Sequence, residues 1–126
     1  MATSIITATA RKQMAQARAG AITLPTIVGF VFGDGGVDSS GNVLDVDESA
    51  TALNNEIGRY PYDKYEFVTD TTCRYTYTMG GDVLAGSKLS EIGLYDSEGN
   101  VVNIKHFSEK GKDSDLELEF QIDDVF

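Results

Sequence analysis

A chain of 126 residues with 10 basic and 20 acidic side chains carries a formal charge of −10, which repels phosphate backbones and anionic lipid and argues against nucleic acid or a membrane as partner. At 41% hydrophobic and 24% charged residues, the composition is that of a folded chain able to bury a core without disulfides or metals. Cys73 is the only cysteine, which excludes an internal disulfide and fits a reducing compartment. The first twenty residues have no long apolar stretch, and no segment approaches the roughly 18 apolar residues of a membrane span. Synthesis in the cytoplasm, without signal-peptide export or membrane insertion, is therefore the expectation.

The spacing predicts an amphipathic helix over about 4–19. Ile6, Ala10, Met14, Ala17 and Ala21 fall four, four, three and four apart, along one face of a 3.6-residue repeat. Thr3 or Ser4 can cap its start, Arg18 suits the negative end of its dipole, and Gly20 suits a left-handed stop. A mostly alanine face buries little, so the helix needs a neighbour to persist. Residues 24–32 (LPTIVGFVF) read as a strand. Leu24, Val28, Phe30 and Phe32 share one parity, while Ile27 and Val31 are apolar on the other. Such a strand is covered on both faces, here by the N-terminal helix and by a second sheet or a neighbouring subunit.

Residues 33–42 are loop-like, and residues 47–57 predict a short second helix: Asp47 as cap, Ala50, Leu53 and Ile57 on one face, Gly58 as stop. A long strand follows from Phe67 to Met79. Next comes a hairpin turning at Asp96-Ser97-Glu98-Gly99-Asn100. Last, Leu116, Leu118, Phe120 and Ile122 alternate with Glu117, Glu119, Gln121 and Asp123, the pattern of a half-buried strand. The expected fold class is α+β: an N-terminal amphipathic helix, one further short helix, and a mainly antiparallel β-sheet or small sandwich. One domain over 1–126 is expected, with a β-rich body over about 22–126.

Candidate chemistry is sparse. Catalysis needs a nucleophile, a base and a group to orient them, and the chain offers one thiol and one histidine, His106. Cys73 shares strand parity with Tyr75 and Tyr77 and reads as buried and inert. His106, beside Lys105 and near Lys110, reads as a surface residue. Zinc needs clustered Cys and His. Asp34, Asp38, Asp45, Asp47 and Glu48 crowd one region, but neither Asp34 nor Asp38 starts a calcium loop with ligands and glycine in place. Gly33-Asp34-Gly35-Gly36 lacks the lysine and helix opening of a phosphate loop, so it reads as a turn. No catalytic residue, metal or cofactor is expected. The first twenty residues are +3 and the remainder −13, and residues 113–126 hold six acids and no base. A basic helix on an acidic body can dock on its own domain, on a sister subunit or on an acidic partner.

Three segments, in order after an Ala/Arg-rich start, carry a resemblance: Phe32-Gly33-Asp34-Gly35-Gly36; Thr51-Ala52-Leu53-Asn54-Asn55-Glu56 with Arg59; and Ser90-Glu91-Ile92-Gly93-Leu94-Tyr95-Asp96-Ser97-Glu98-Gly99. Together they resemble the phage tail-collar fibre family, over roughly residues 5 to 105. The resemblance implies a structural, non-enzymatic domain of a virion tail that joins a fibre to the baseplate, as part of a trimer with other tail or baseplate proteins as partners. The repetitive shaft and receptor-binding tip of such fibres do not occur in these residues. Contacts are expected at Ile6, Ala10, Met14, Ala17, Ile27 and Val31. The alternative is a small carbohydrate- or receptor-binding module using Tyr60, Tyr62, Tyr65, Tyr75 and Tyr77.

Overall fold

The structure, a computed structural model, describes residues 4–126; Thr3, one of the two expected caps, lies outside them. The chain opens not in a helix but in β1 (Ile5–Ile6), whose two β-branched residues pair with Ile104 and Asn103. Only then does it enter α1 (Ala8–Arg18). Thr7 is the cap. Its hydroxyl accepts the Ala10 N–H at 3.1 Å and donates to the Val101 carbonyl at 2.8 Å, pinning the helix start to the sheet. Gly20 ends the helix at φ 81°, the Ala21 N–H donating to Gln16 and the Gly20 N–H to Ala17, a paired stop that glycine adopts without strain. The buried helix residues are Ala10 and Gln13, so an amide interrupts the face expected to be apolar.

The remaining elements are strands: β2 (Ile27–Gly33), β3 (Glu56–Pro61), β4 (Lys64–Thr69), β5 (Thr72–Met79), β6 (Lys88–Asp96), β7 (Val101–Gly111) and β8 (Leu118–Val125). One sheet has the order β1-β7-β6-β2-β3 and the other β4-β5-β8, with every pairing antiparallel. The expected α+β class is thus corrected: eight strands in two antiparallel sheets outweigh a single eleven-residue helix.

The second helix, expected over 47–57, is absent. The Asp47 carboxylate takes the N–H and hydroxyl of Ser49 at 2.8 and 2.7 Å, a local turn that competes with helix. The N–H groups of Asn54 and Asn55 point to a carboxylate on β6, and from Glu56 the chain is β3.

The two sheets face each other across the main core. Phe30 and Phe32 of β2 and Leu94 of β6 meet Tyr77 of β5 and Phe120 of β8, with Phe32 edge-on to Phe120 at 5.1 Å. The other face of β2 presents Val31, which packs with Val101, Ile104 and Leu53 while Val46 and Ala50 border them. Both faces of β2 are therefore covered. The covers are the second sheet and the chain's own 34–55 loop, with α1 only adding Ala10 to the edge of the main core. On β8, Phe120 and Ile122 are buried and Glu119 and Gln121 exposed, as the alternation predicts. Leu116 stays outside the strand, 38% exposed.

Phe32 is fully buried among aromatic rings. Phe32→Ala is expected to lower stability by about 3–5 kcal/mol, read as a lower urea midpoint at unchanged slope.

Candidate functional site

The three sequence motifs meet at one carboxylate. Glu91, on β6, is fully buried. Its Oε2 accepts the N–H groups of Gly35 at 2.9 Å and Asn55 at 2.8 Å, and its Oε1 accepts that of Asn54 at 2.8 Å. Around this centre the Asn54 amide donates to the Gly35 carbonyl, the Asn55 amide to Asp34, and the Gly36 N–H to the Ser90 hydroxyl. Glycine is required here by close approach: a Cβ on Gly33 would lie 2.5 Å from Glu91 Oε2, and one on Gly36 would collide with the Ser90 carbonyl.

His106 completes the cluster and corrects the surface expectation. β7 continues past it to Gly111, and the ring is buried with Nε2 3.4 Å from Glu91 Oε1. Nδ1 lies 2.8 Å from the Leu44 carbonyl, which can only accept, so Nδ1 carries a proton. The lone pairs of Glu91 are thus directed at the chain's own backbone N–H groups, with the His106 ring packed against Oε1. Chemically this is a clamp holding a loop to a sheet. Its sequence signal was an acid embedded in the apolar run around Ile92.

The other candidates are dispersed. Cys73 is half-buried on β5 in the second sheet, opposite Phe67 and Asp124, whereas His106 belongs to the first sheet. Asp38 turns its carboxylate on the N–H groups of Ser40 and Asn42, which hold it below the usual carboxylate range. Among the described residues no three His, Cys, Asp or Glu side chains gather as metal ligands. Tyr60 and Tyr77 stack on each other at 5.7 Å within the core, Tyr62 and Tyr75 are partly buried beside it, and Tyr65 stands 53% exposed on β4. No helix among the described residues is long and apolar enough to cross a membrane.

Four of the six expected contact residues converge. Ile6, Ala10, Met14 and Ile27 line one groove together with Leu24 and Phe126, the last two 47% and 61% exposed. Ala17 is partly buried outside its lining, and Val31 is wholly buried beneath the 34–55 loop. Asp124 lies at the groove floor, where burial pushes its carboxyl up against the opposing effect of the Asn103 amide, which donates to it at 2.9 Å. The neighbouring Asp123 behaves oppositely: a two-point bond from the Arg74 guanidinium, at 2.8 and 3.1 Å, holds it below the usual range.

An antiparallel body whose buried polar groups serve its own loops, with an apolar groove open at one end, is built as a structural component. The particular kind emerges from comparison with known proteins. The model of the family described as phage tail-collar fibre protein, N-terminal, matches residues 1–121, and the chain belongs to that family. That makes it a structural part of a phage tail fibre, associated with other tail components in the virion tail. No curated protein and no solved structure matches the chain.

Glu91→Gln replaces an acceptor oxygen with an NH2 group facing N–H donors, and is expected to cost about 3 kcal/mol; hydrogen exchange should show the Gly35, Asn54 and Asn55 amides losing protection together. For Asp124 the folded chain holds the proton more tightly than the unfolded one, so its contribution is present at low pH and lost as pH rises above the unfolded value near 3.8. Asp124→Asn should therefore be more stable than the parent at neutral pH, the difference vanishing below about pH 3.8, as read from paired urea melts.

Proposed function

We propose that this chain attaches a tail fibre to the baseplate as a trimer, through protein–protein interfaces centred on the groove beside α1, after synthesis in the host cytoplasm. The observation that carries the reading is the apolar lining left open there. Leu24 and Phe126 stand about half exposed beside Met14 and Ile27, on a chain whose family is that of tail fibres. Exposed apolar side chains gathered in one concavity mark a contact surface more than scattered ones do. The buried carboxylate, imidazole and lysine of the body are all engaged by the chain itself, which leaves recognition to the surface.

The test is incorporation into particles. Met14→Asp and Leu24→Asp place charge in the groove at positions outside the main core. Folded by circular dichroism, both variants are expected to reduce fibre content of assembled tails at least about tenfold, the loss that 1.4 kcal/mol of contact free energy would give. Sedimentation of the parent chain is expected to show a trimer. A parent chain that sediments as a monomer at every concentration and is absent from particles sinks the reading, as does full incorporation of both groove variants.

A further inference from the structure

We propose that the groove's occupant is a second copy of this chain, docked head to tail so that segment 113–119 of one copy lies on α1 of the next. The proposal rests on the reading that the domain works through protein contacts, and it names the partner of that same groove. α1 carries Arg11, Lys12 and Arg18 and no acid. The ion pairs of lysine and arginine among the described residues are Arg59–Glu56, Arg74–Asp123 and Lys88–Glu109, and none involves the helix. Arg11 donates to the Ile6 and Glu48 carbonyls without meeting a carboxylate. Arg11 and Arg18, seven residues apart, share one flank of the helix next to Met14.

The acidic counterpart is equally unanswered. Asp113, Asp115, Glu117 and Glu119 are all exposed and take part in none of those pairs. Lys112 sits beside them in sequence, but its ammonium is buried and donates to the Gly81 and Asp113 carbonyls at 2.8 and 3.1 Å. In the middle of the acids stands the exposed Leu116. One end of the molecule is thus an apolar knob with an acidic rim, and the other an apolar groove with a basic flank.

Position makes the contact intermolecular. Asp124 and Phe126, at and just past the end of β8, line the groove, while Glu117 and Glu119 flank Leu118, the first residue of that eight-residue strand. At about 3.3 Å per residue the two ends stand roughly 25 Å apart, several times the Debye length of about 8 Å at physiological salt. They cannot neutralise each other within one copy; they meet only between copies. Because different patches face each other, the contact is heterologous, and a ring of three is the closure that fits a trimeric fibre.

Reciprocal charge reversal tests this by sedimentation. Self-association of the parent is expected to weaken at least about tenfold between roughly 50 and 500 mM salt, as screening shortens the reach of the charges. Arg11→Glu with Arg18→Glu, and separately Glu117→Lys with Glu119→Lys, should each stay folded and dissociated, and a mixture of the two should associate again. A third variant, Leu116→Ser at an exposed loop position, should weaken association without altering the charge. Undiminished association in any of the three, or a mixture of the reversed pair that remains dissociated, overturns the proposal. Persistent trimers in those variants, with particle incorporation intact, sink this contact alone and leave the fibre-attachment reading standing.

Discussion

A carboxylate taken out of water costs several kcal/mol unless donors replace the lost hydration, and here the donors come from distant parts of the chain. Glu91 collects the N–H groups of Gly35, Asn54 and Asn55. Hydrogen bonds to a charged group contribute about 1.5–3 kcal/mol each, so three of them offset burial of the charge and hold the loop as well. Through them the 34–55 loop is pressed onto the sheet, Leu53 is carried over Val31, and β2 is shut off from solvent on its second face. Any helix over 47–57 would withdraw the two asparagine N–H groups from the carboxylate and bare that face.

Legibility in the sequence tracks the range of the forces involved. Gly20 announced its stop because a left-handed residue is a local demand, and Phe120 with Ile122 announced β8 because alternation is local too. The double apolarity of β2 correctly implied two covers but named the N-terminal helix for the one that the 34–55 loop supplies, since Leu53 lies more than twenty residues beyond Val31. Ala50, Leu53 and Ile57 keep helical spacing in a segment that is not helical; the competing acceptor is 36 residues away from Asn55, beyond any window of periodicity. The start of α1 was misplaced for a related reason, since Ile5 and Ile6 find their partners on β7 near residue 104.

The residues expected as contacts show the same division. Helical spacing grouped Ile6, Ala10 and Met14, and the fold does gather them, although Ile6 arrives there from a strand. Ile27 joins them from the first position of β2. Val31 was set beside Ile27 by shared apolarity, yet the loop that Glu91 retains has already covered it. Ala17 drifts off the groove as the helix ends. An exposed apolar position and a core position are indistinguishable in sequence until the cover is known.

The clamp also governs the order in which the protein can be made. Its bonds close intervals of 56 residues back to Gly35 and 37 back to Asn54, and β1 waits for a partner almost a hundred residues downstream. Pairings of such separation carry a large loop-closure entropy before any contact rewards it, which slows folding. During synthesis, β2 can pair with β3 early, but the 34–55 loop has no hold on the sheet until Glu91 has left the ribosome. The sheet then assembles late and from many directions at once, and an apolar strand such as residues 27–33 stays exposed throughout that interval.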